Sequence, residues 1–168
     1  MIYLPAPVAL GFLPLVVPIC LYVIWTDLSQ MRIRNHAVLA LALGFVLLGP
    51  LLMSWQDWGW GLARLGVMLL AAMLFMARRV MGGGDAKFLA AAAPFIWPGD
   101  IPVIVLLLAS ALLGGFAAHR MARTTALRTL APDWRSWHHS KFPMGLSLGF
   151  ALILYLVLAA LHGPGSPV

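Results

Sequence analysis

Six apolar runs divide the chain, at about 7–25, 37–55, 59–77, 86–97, 101–118 and 142–161, with short polar connections between them. A helix that crosses a bilayer needs roughly 20 apolar residues, within a range of about 17–25. Five runs meet that length. The fourth, Ala86 to Trp97, rises only about 18 Å as a helix, and Pro94 inside it predicts irregular backbone. Backbone of that kind at membrane depth needs protein or water around it. The run therefore reads as a half-helix inside a bundle, or as a helix lengthened by the Gly-rich turn before it. The expected fold is all-α: a polytopic membrane helix bundle of about six transmembrane helices, the fourth short.

The connections decide the orientation. Thr26–His36 carries Arg32 and Arg34; Arg78–Asp85 carries two arginines, with Lys87 just beyond; His119–Lys141 carries Arg120, Arg123, Arg128, Arg135 and Lys141. The alternate connections, Gln56–Trp58 and Pro98–Asp100, carry only Asp57 and Asp100. By the positive-inside bias the basic connections face the cytoplasm and both termini face out. Arg64 is the exception, read as an arginine near the outer end of the third helix that snorkels to the interface. Pro50 is expected to kink the second helix and Pro143 to start the sixth, where a missing N–H costs little.

Composition agrees with this picture. Of 168 residues 62% are apolar and 10% charged, with mean hydropathy +0.96, whereas soluble domains are about 45–50% apolar and about 25% charged. A chain this small cannot hide so much apolar surface in a globule. The expected organisation is one membrane-embedded domain over 1–162 and a flexible Gly/Pro-rich tail over 163–168. The N-terminus lacks a basic region before its apolar run and reads as a retained span rather than a removed signal. The net charge of +6 lies in the loops between spans, which argues for membrane topology and against nucleic acid. Cys20 is alone inside an apolar run, so no internal disulfide or CxxC metal site is expected.

All five acidic residues are aspartates. Asp57 and Asp100 are placed outside; Asp27, Asp85 and Asp133 inside. Asp27 ends the first helix in "YVIWTDLSQMRIRNH" and Asp85 opens the fourth in "MGGGDAKFLAA". Both fall at the cytoplasmic boundary, whereas Asp133 lies mid-loop. Two carboxylates at one depth of one bundle can meet, and close like charges do not both ionise. Such a pair shares a proton: one member takes a proton from water while the other donates to a peptide carbonyl. Gly82, Gly83 and Gly84 are expected to allow positive φ and close approach of a substrate backbone. Each aspartate also has a structural reading, Asp85 as a helix N-cap and Asp27 as a partner of Arg32 or Arg34, and the residues alone leave the two readings balanced.

Three motifs then carry a resemblance. "MGGGDAKFLAA" contains a GxGD motif at Gly82-Gly83-Gly84-Asp85 followed by Lys87; "DLSQMRIRNHAV" resembles a D-x(4–5)-R-I-P-N stretch; "KFPMGLSLGFA" resembles a P-Y-G-x-A helix start. Together, in this order, they resemble the type IV prepilin peptidases, and the short chain is similar to the CpaA/TadV branch, which processes Flp/Tad pilus prepilins. The resemblance implies an inner-membrane aspartic endopeptidase that removes prepilin leaders at the cytoplasmic face, with Asp27 and Asp85 catalytic. Gly82, Gly83, Gly84, Lys87, Asn35, Pro143 and Gly145 would then bind substrate or support the site. Expected partners are prepilins (leader and start of the hydrophobic helix), membrane lipids and pilus assembly proteins, with no metal and no cofactor. Arg34 replaces the usual Pro of R-I-P-N, leaving Asn35 to cap the next helix, and Met144 replaces the Tyr of P-Y-G. With one cysteine there is no tetracysteine zinc domain, and N-methylation is not expected.

Other readings remain beside this one: a non-enzymatic membrane subunit of a pilus or secretion machine, a small transporter or proton relay, and a presenilin-like intramembrane protease. A Ser29/Lys87 or Ser136/Lys141 protease pair, and a metal cluster at His138 and His139, are weaker. The Trp134–Trp137 segment reads as an interfacial aromatic belt.

Overall fold

The computed structural model describes residues 2–125, 129, 131–139 and 142–165. It is all-helical: α1 Ala6–Gln30, α2 Asn35–Leu52, α3 Trp55–Ala77, α4 Gly83–Ala92, α5 Ile101–Arg123 and α6 Met144–His162. All but α4 are long and apolar enough to cross a membrane. This is a polytopic helical membrane bundle. Arg128, Lys141 and the last three residues of the tail lie outside the described residues.

Local chemistry sets the helix ends. Pro7 opens α1, where its missing N–H costs nothing. At α3, the Ser54 hydroxyl accepts from Asp57 N at 3.1 Å and donates to Asp57 Oδ2 at 2.7 Å, a local reciprocal cap. Pro143 immediately precedes α6, as expected. Pro50 falls in the last turn of α2, and α1 contains Pro14 and Pro18.

The fourth segment crosses without being a full helix. Ten residues of α4 run into a 3-10 turn at Ala93–Phe95 containing Pro94. Ile96 and Trp97 are extended, and a second 3-10 turn at Pro98–Asp100 leads into α5. Extended residues climb about 3.3 Å each against 1.5 Å in a helix, so a short segment still reaches the opposite end. Asp100 proves the reach. Its Oδ1 accepts from Tyr3 N at 2.8 Å, and its Oδ2 from Leu4 N at 3.0 Å and Tyr155 Oη at 2.8 Å. Asp100 is therefore fully buried, not a solvent-facing turn residue; it ties the N-terminal residues to α6. Ala6 N donates to Pro164 O at 2.9 Å, so the two ends of the chain meet on the side opposite Asp27.

α1 and α6 form the centre and pack on each other most extensively. Gly145 and Gly149, one helical turn apart, let α6 approach closely: a Cβ on Gly149 would stand 3.1 Å from Cys20 O of α1. Small residues at this spacing are how membrane helices pack. Phe12, Phe45 and Phe95 form an aromatic cluster in the core, with centroids 4.9–5.7 Å apart. α3 and α5 turn most of their surface outward, as lipid-facing helices do.

Two further expectations change. The loop aromatics do not both face the membrane interface as expected: Trp137 is buried, stacks on His119 with centroids 5.0 Å apart, and donates to Ala131 O. Arg64 is not near the end of α3. It lies about 14 Å from Trp55 along the helix and about 20 Å from Ala77, and its Nη2 donates to Pro94 O at 3.3 Å.

Candidate active site

One polar cavity of about 620 Å³ opens at the end of the bundle where α1 finishes and α4 begins. Asp27 and Asp85, 58 residues apart in sequence, both line it. Gly82, Gly83, Gly84, Asn35 and Lys87 line it as well, together with Met31, Arg32, Ile33, Arg34 and His36.

Asp27 comes from the last turn of α1 and is 6% exposed. Its Oδ2 accepts from Gly145 N at 2.6 Å. Gly145 is the second residue of α6, so the carboxylate caps a helix other than its own. The unpaired N–H groups and the dipole of that end favour negative charge. No larger residue fits there: a Cβ on Gly145 would lie 2.8 Å from Asp27 Oδ2 and 3.0 Å from its Cγ. The structural reading of Asp27 as a partner of Arg32 or Arg34 changes accordingly; Arg34 instead donates to Gln30 Oε1.

Asp85 is the third residue of α4, whose N-cap is Gly82. It is therefore not the cap itself. Its Oδ2 would lie 2.7 Å from a Cβ on Gly82, so Gly82 makes room for the carboxylate. Gly84 makes room for the α1–α2 connection, where Ile33 Cβ stands 3.1 Å from the same virtual position. None of Gly82, Gly83 and Gly84 has positive φ. Their shared property here is small size, not the left-handed conformation expected of them.

Left-handed backbone occurs elsewhere. Met31 (φ 55°) and Arg79 (φ 54°) end α1 and the α3 segment without glycine. Met31 turns the chain so that residues 31–36 fold over the cavity. Asn35 does not cap α2; Arg34 is the N-cap residue and makes no side-chain cap bond. Asn35 Oδ1 accepts from Lys87 Nζ at 3.3 Å instead, linking the α1–α2 connection to α4. That bond and the one from Ser29 Oγ to Trp25 O place the Ser29 and Lys87 side chains in separate interactions. Pro143 positions Gly145 from outside the cavity, and Asp133 is exposed in a turn that does not line it. Among the described residues no group of three His, Cys, Asp or Glu side chains could hold a metal ion.

The profile of the type IV leader peptidase family matches residues 15–119. The chain belongs to the type IV leader peptidase family. Comparisons with curated proteins and with solved structures return no significant match. The matched region contains Asp27, the glycine run, Asp85 and Lys87, whereas Gly145 lies beyond it. The leader peptidases are membrane proteases that act on prepilins, and the five long apolar helices make this member a multi-pass membrane protein.

Sequence reasoning named both aspartates and Gly145 but missed Met31, Ile33 and His36 as cavity residues. Their signal was adjacency: a connection of four residues between α1 and α2 must stay beside the carboxylate that ends α1. His36 also pairs through Nε2 with Tyr22 Oη at 2.9 Å.

Proposed function

We propose that this leader peptidase family member is an active aspartic endopeptidase that cleaves the leader from Flp/Tad-type prepilins, as the CpaA/TadV branch does, at the cytoplasmic face of the inner membrane. The observation that carries the reading is that Asp27 and Asp85, 58 residues apart in sequence and both inside the matched region, line one polar cavity. The alternation of basic loops supports the orientation.

In the resting pair one carboxyl is ionised and the other protonated. The ionised member takes a proton from water, and the oxygen attacks the peptide carbonyl carbon. The protonated member gives its proton to the carbonyl oxygen, forming a diol. On collapse, one carboxyl protonates the departing amide nitrogen, the C–N bond breaks, and the other takes back a hydroxyl proton. The pair ends with one proton, as it began. Gly145 N supplies a donor to Asp27 in its charged state, and Lys87 and the loop arginines offset negative charge in the cavity.

Co-expression with a Flp-type prepilin tests this. Wild type and Asp133→Asn should remove the leader; Asp27→Asn and Asp85→Asn should not, at equal protein level. Cleavage by either of the last two removes that aspartate from the mechanism.

One observation favours a second, non-enzymatic reading: Asp27 caps α6, which a structural subunit of a pilus machine could equally use. That reading expects Asp27→Asn to lower the melting temperature and the wild type to leave prepilin intact.

A further inference from the structure

At the end of the bundle opposite the carboxylate pair, a separate crevice of about 330 Å³ is lined by Asp57, Trp60, Arg64, Trp97 and Pro98. It exists because α4 stops early: the extended Ile96–Trp97 stretch fills less space than a helical turn beside α3. Arg64 stands at its deep end and Asp57 nearer the surface, seven residues apart and so on one face of α3. The two interact electrostatically. Asp57 is held by the Ser54 hydroxyl at 2.7 Å, and Arg64 donates Nη2 to Pro94 O.

An arginine this far from a helix end is costly in a membrane unless its donors are used. The Pro94 carbonyl takes one of five, and Arg64 Nε is buried with no hydrogen-bond partner among the described residues. A guanidinium matches the geometry of a phosphate, with two parallel N–H donors. Arginine side chains in a helix lean toward its N-terminus, here toward the crevice mouth and Asp57.

We propose that this crevice binds the headgroup of a zwitterionic phospholipid bearing a primary ammonium, with phosphate on Arg64 and ammonium on Asp57. The depth order is that of a lipid in the leaflet: acyl chains and phosphate lie deeper, the ammonium shallower. Trp60, 63% exposed, and Trp97 flank the site with amphipathic rings suited to that level. The pair Arg64/Asp57 is neutral overall, so the site favours a zwitterion over an anion. A primary ammonium carries N–H donors for a carboxylate, as a lysine does, and a trimethylammonium carries none. Phosphatidylethanolamine is therefore favoured over phosphatidylcholine, and over phosphatidylglycerol, whose headgroup offers Asp57 no cation.

The test is native mass spectrometry of the full chain released from detergent, titrated with these three lipids carrying identical acyl chains. The wild type should retain one phosphatidylethanolamine at least tenfold more tightly than either other lipid. Arg64→Gln should abolish that preference, and Asp57→Asn should reduce it severalfold while phosphatidylglycerol gains. Soluble glycerophosphoethanolamine should compete only at far higher concentration than the lipid. Equal retention of all three lipids by the wild type, or unchanged preference in Arg64→Gln, overturns the proposal; equal competition by the soluble headgroup overturns the lipid as its source. Should Arg64→Gln fail to fold after losing its bond to Pro94, Asp57→Asn decides: unchanged selectivity in that variant removes the ammonium site.

Discussion

Gly145 and Asp27 touch at a short polar contact, 2.6 Å from backbone nitrogen to carboxylate oxygen. Adding a methyl at Gly145 forces Asp27 or α6 to shift, since its carbon would stand 2.8–3.0 Å from the carboxylate. Gly145→Ala should cost about 1–3 kcal/mol of stability, as overpacking does. It should also lower cleavage at least tenfold, read as turnover of a prepilin by protein of matched folded fraction. Gly82→Ala makes a similar demand on Asp85, whose Oδ2 lies 2.7 Å from the new carbon, and should lower turnover without disturbing Asp27. A shared proton fixes the sign of the pH response. Cleavage should fall on the acid side, as the remaining carboxylate is protonated and no base is left, and again on the alkaline side, as the shared proton is lost and no acid is left. A profile flat across both limbs would dismiss the dyad.

At the scale of elements, the fourth segment joins everything of interest. Its first turn presents Asp85 to the cavity, its early end opens the crevice at Arg64, and its exit at Asp100 ties down the N-terminus. Asp100→Asn keeps the shape but weakens three bonds to one buried carboxylate. It should lower stability by about 1–3 kcal/mol, seen as a drop in melting temperature in detergent, with the residual activity of folded protein little changed. The sequence told that this segment is short, irregular at Pro94 and yet must cross, because length, proline and alternating loop charge are local signals. It did not tell that Asp100 is buried or that Arg64 lies deep. Those depend on which residues from distant helices arrive beside them, Tyr155 from α6 and Pro94 from the 3-10 turn, and no spacing encodes that. The same limit explains Asn35 and Gly82. Which residue caps a helix depends on backbone within a turn, and Arg34 took that position one residue before Asn35, Gly82 three residues before Asp85.

For the whole molecule, class and topology were legible because lipid imposes them. Apolar length sets the spans, and both ends of the chain do meet on one side. The candidate pair was legible too, since a chain with five acids offers few combinations. The cavity around the pair was not, because it is built from a connection folded over the site at Met31, while Asp27 is held by a glycine of the last helix. Cavity and crevice enter the bundle from opposite ends, one around Asp27 and Asp85 and the other down to Arg64.

Neither hollow reaches the rings of Phe12, Phe45 and Phe95, which belong to the packed apolar core of the bundle. In a membrane a dry core of this kind carries the transmembrane potential, worth about 2.3 kcal/mol for each elementary charge per 100 mV. The core, the aromatic cluster included, is thus electrical insulation as well as packing. Replacing Phe95 by Ala in a protein that still folds should make vesicles containing it leak protons, while the wild type holds its gradient.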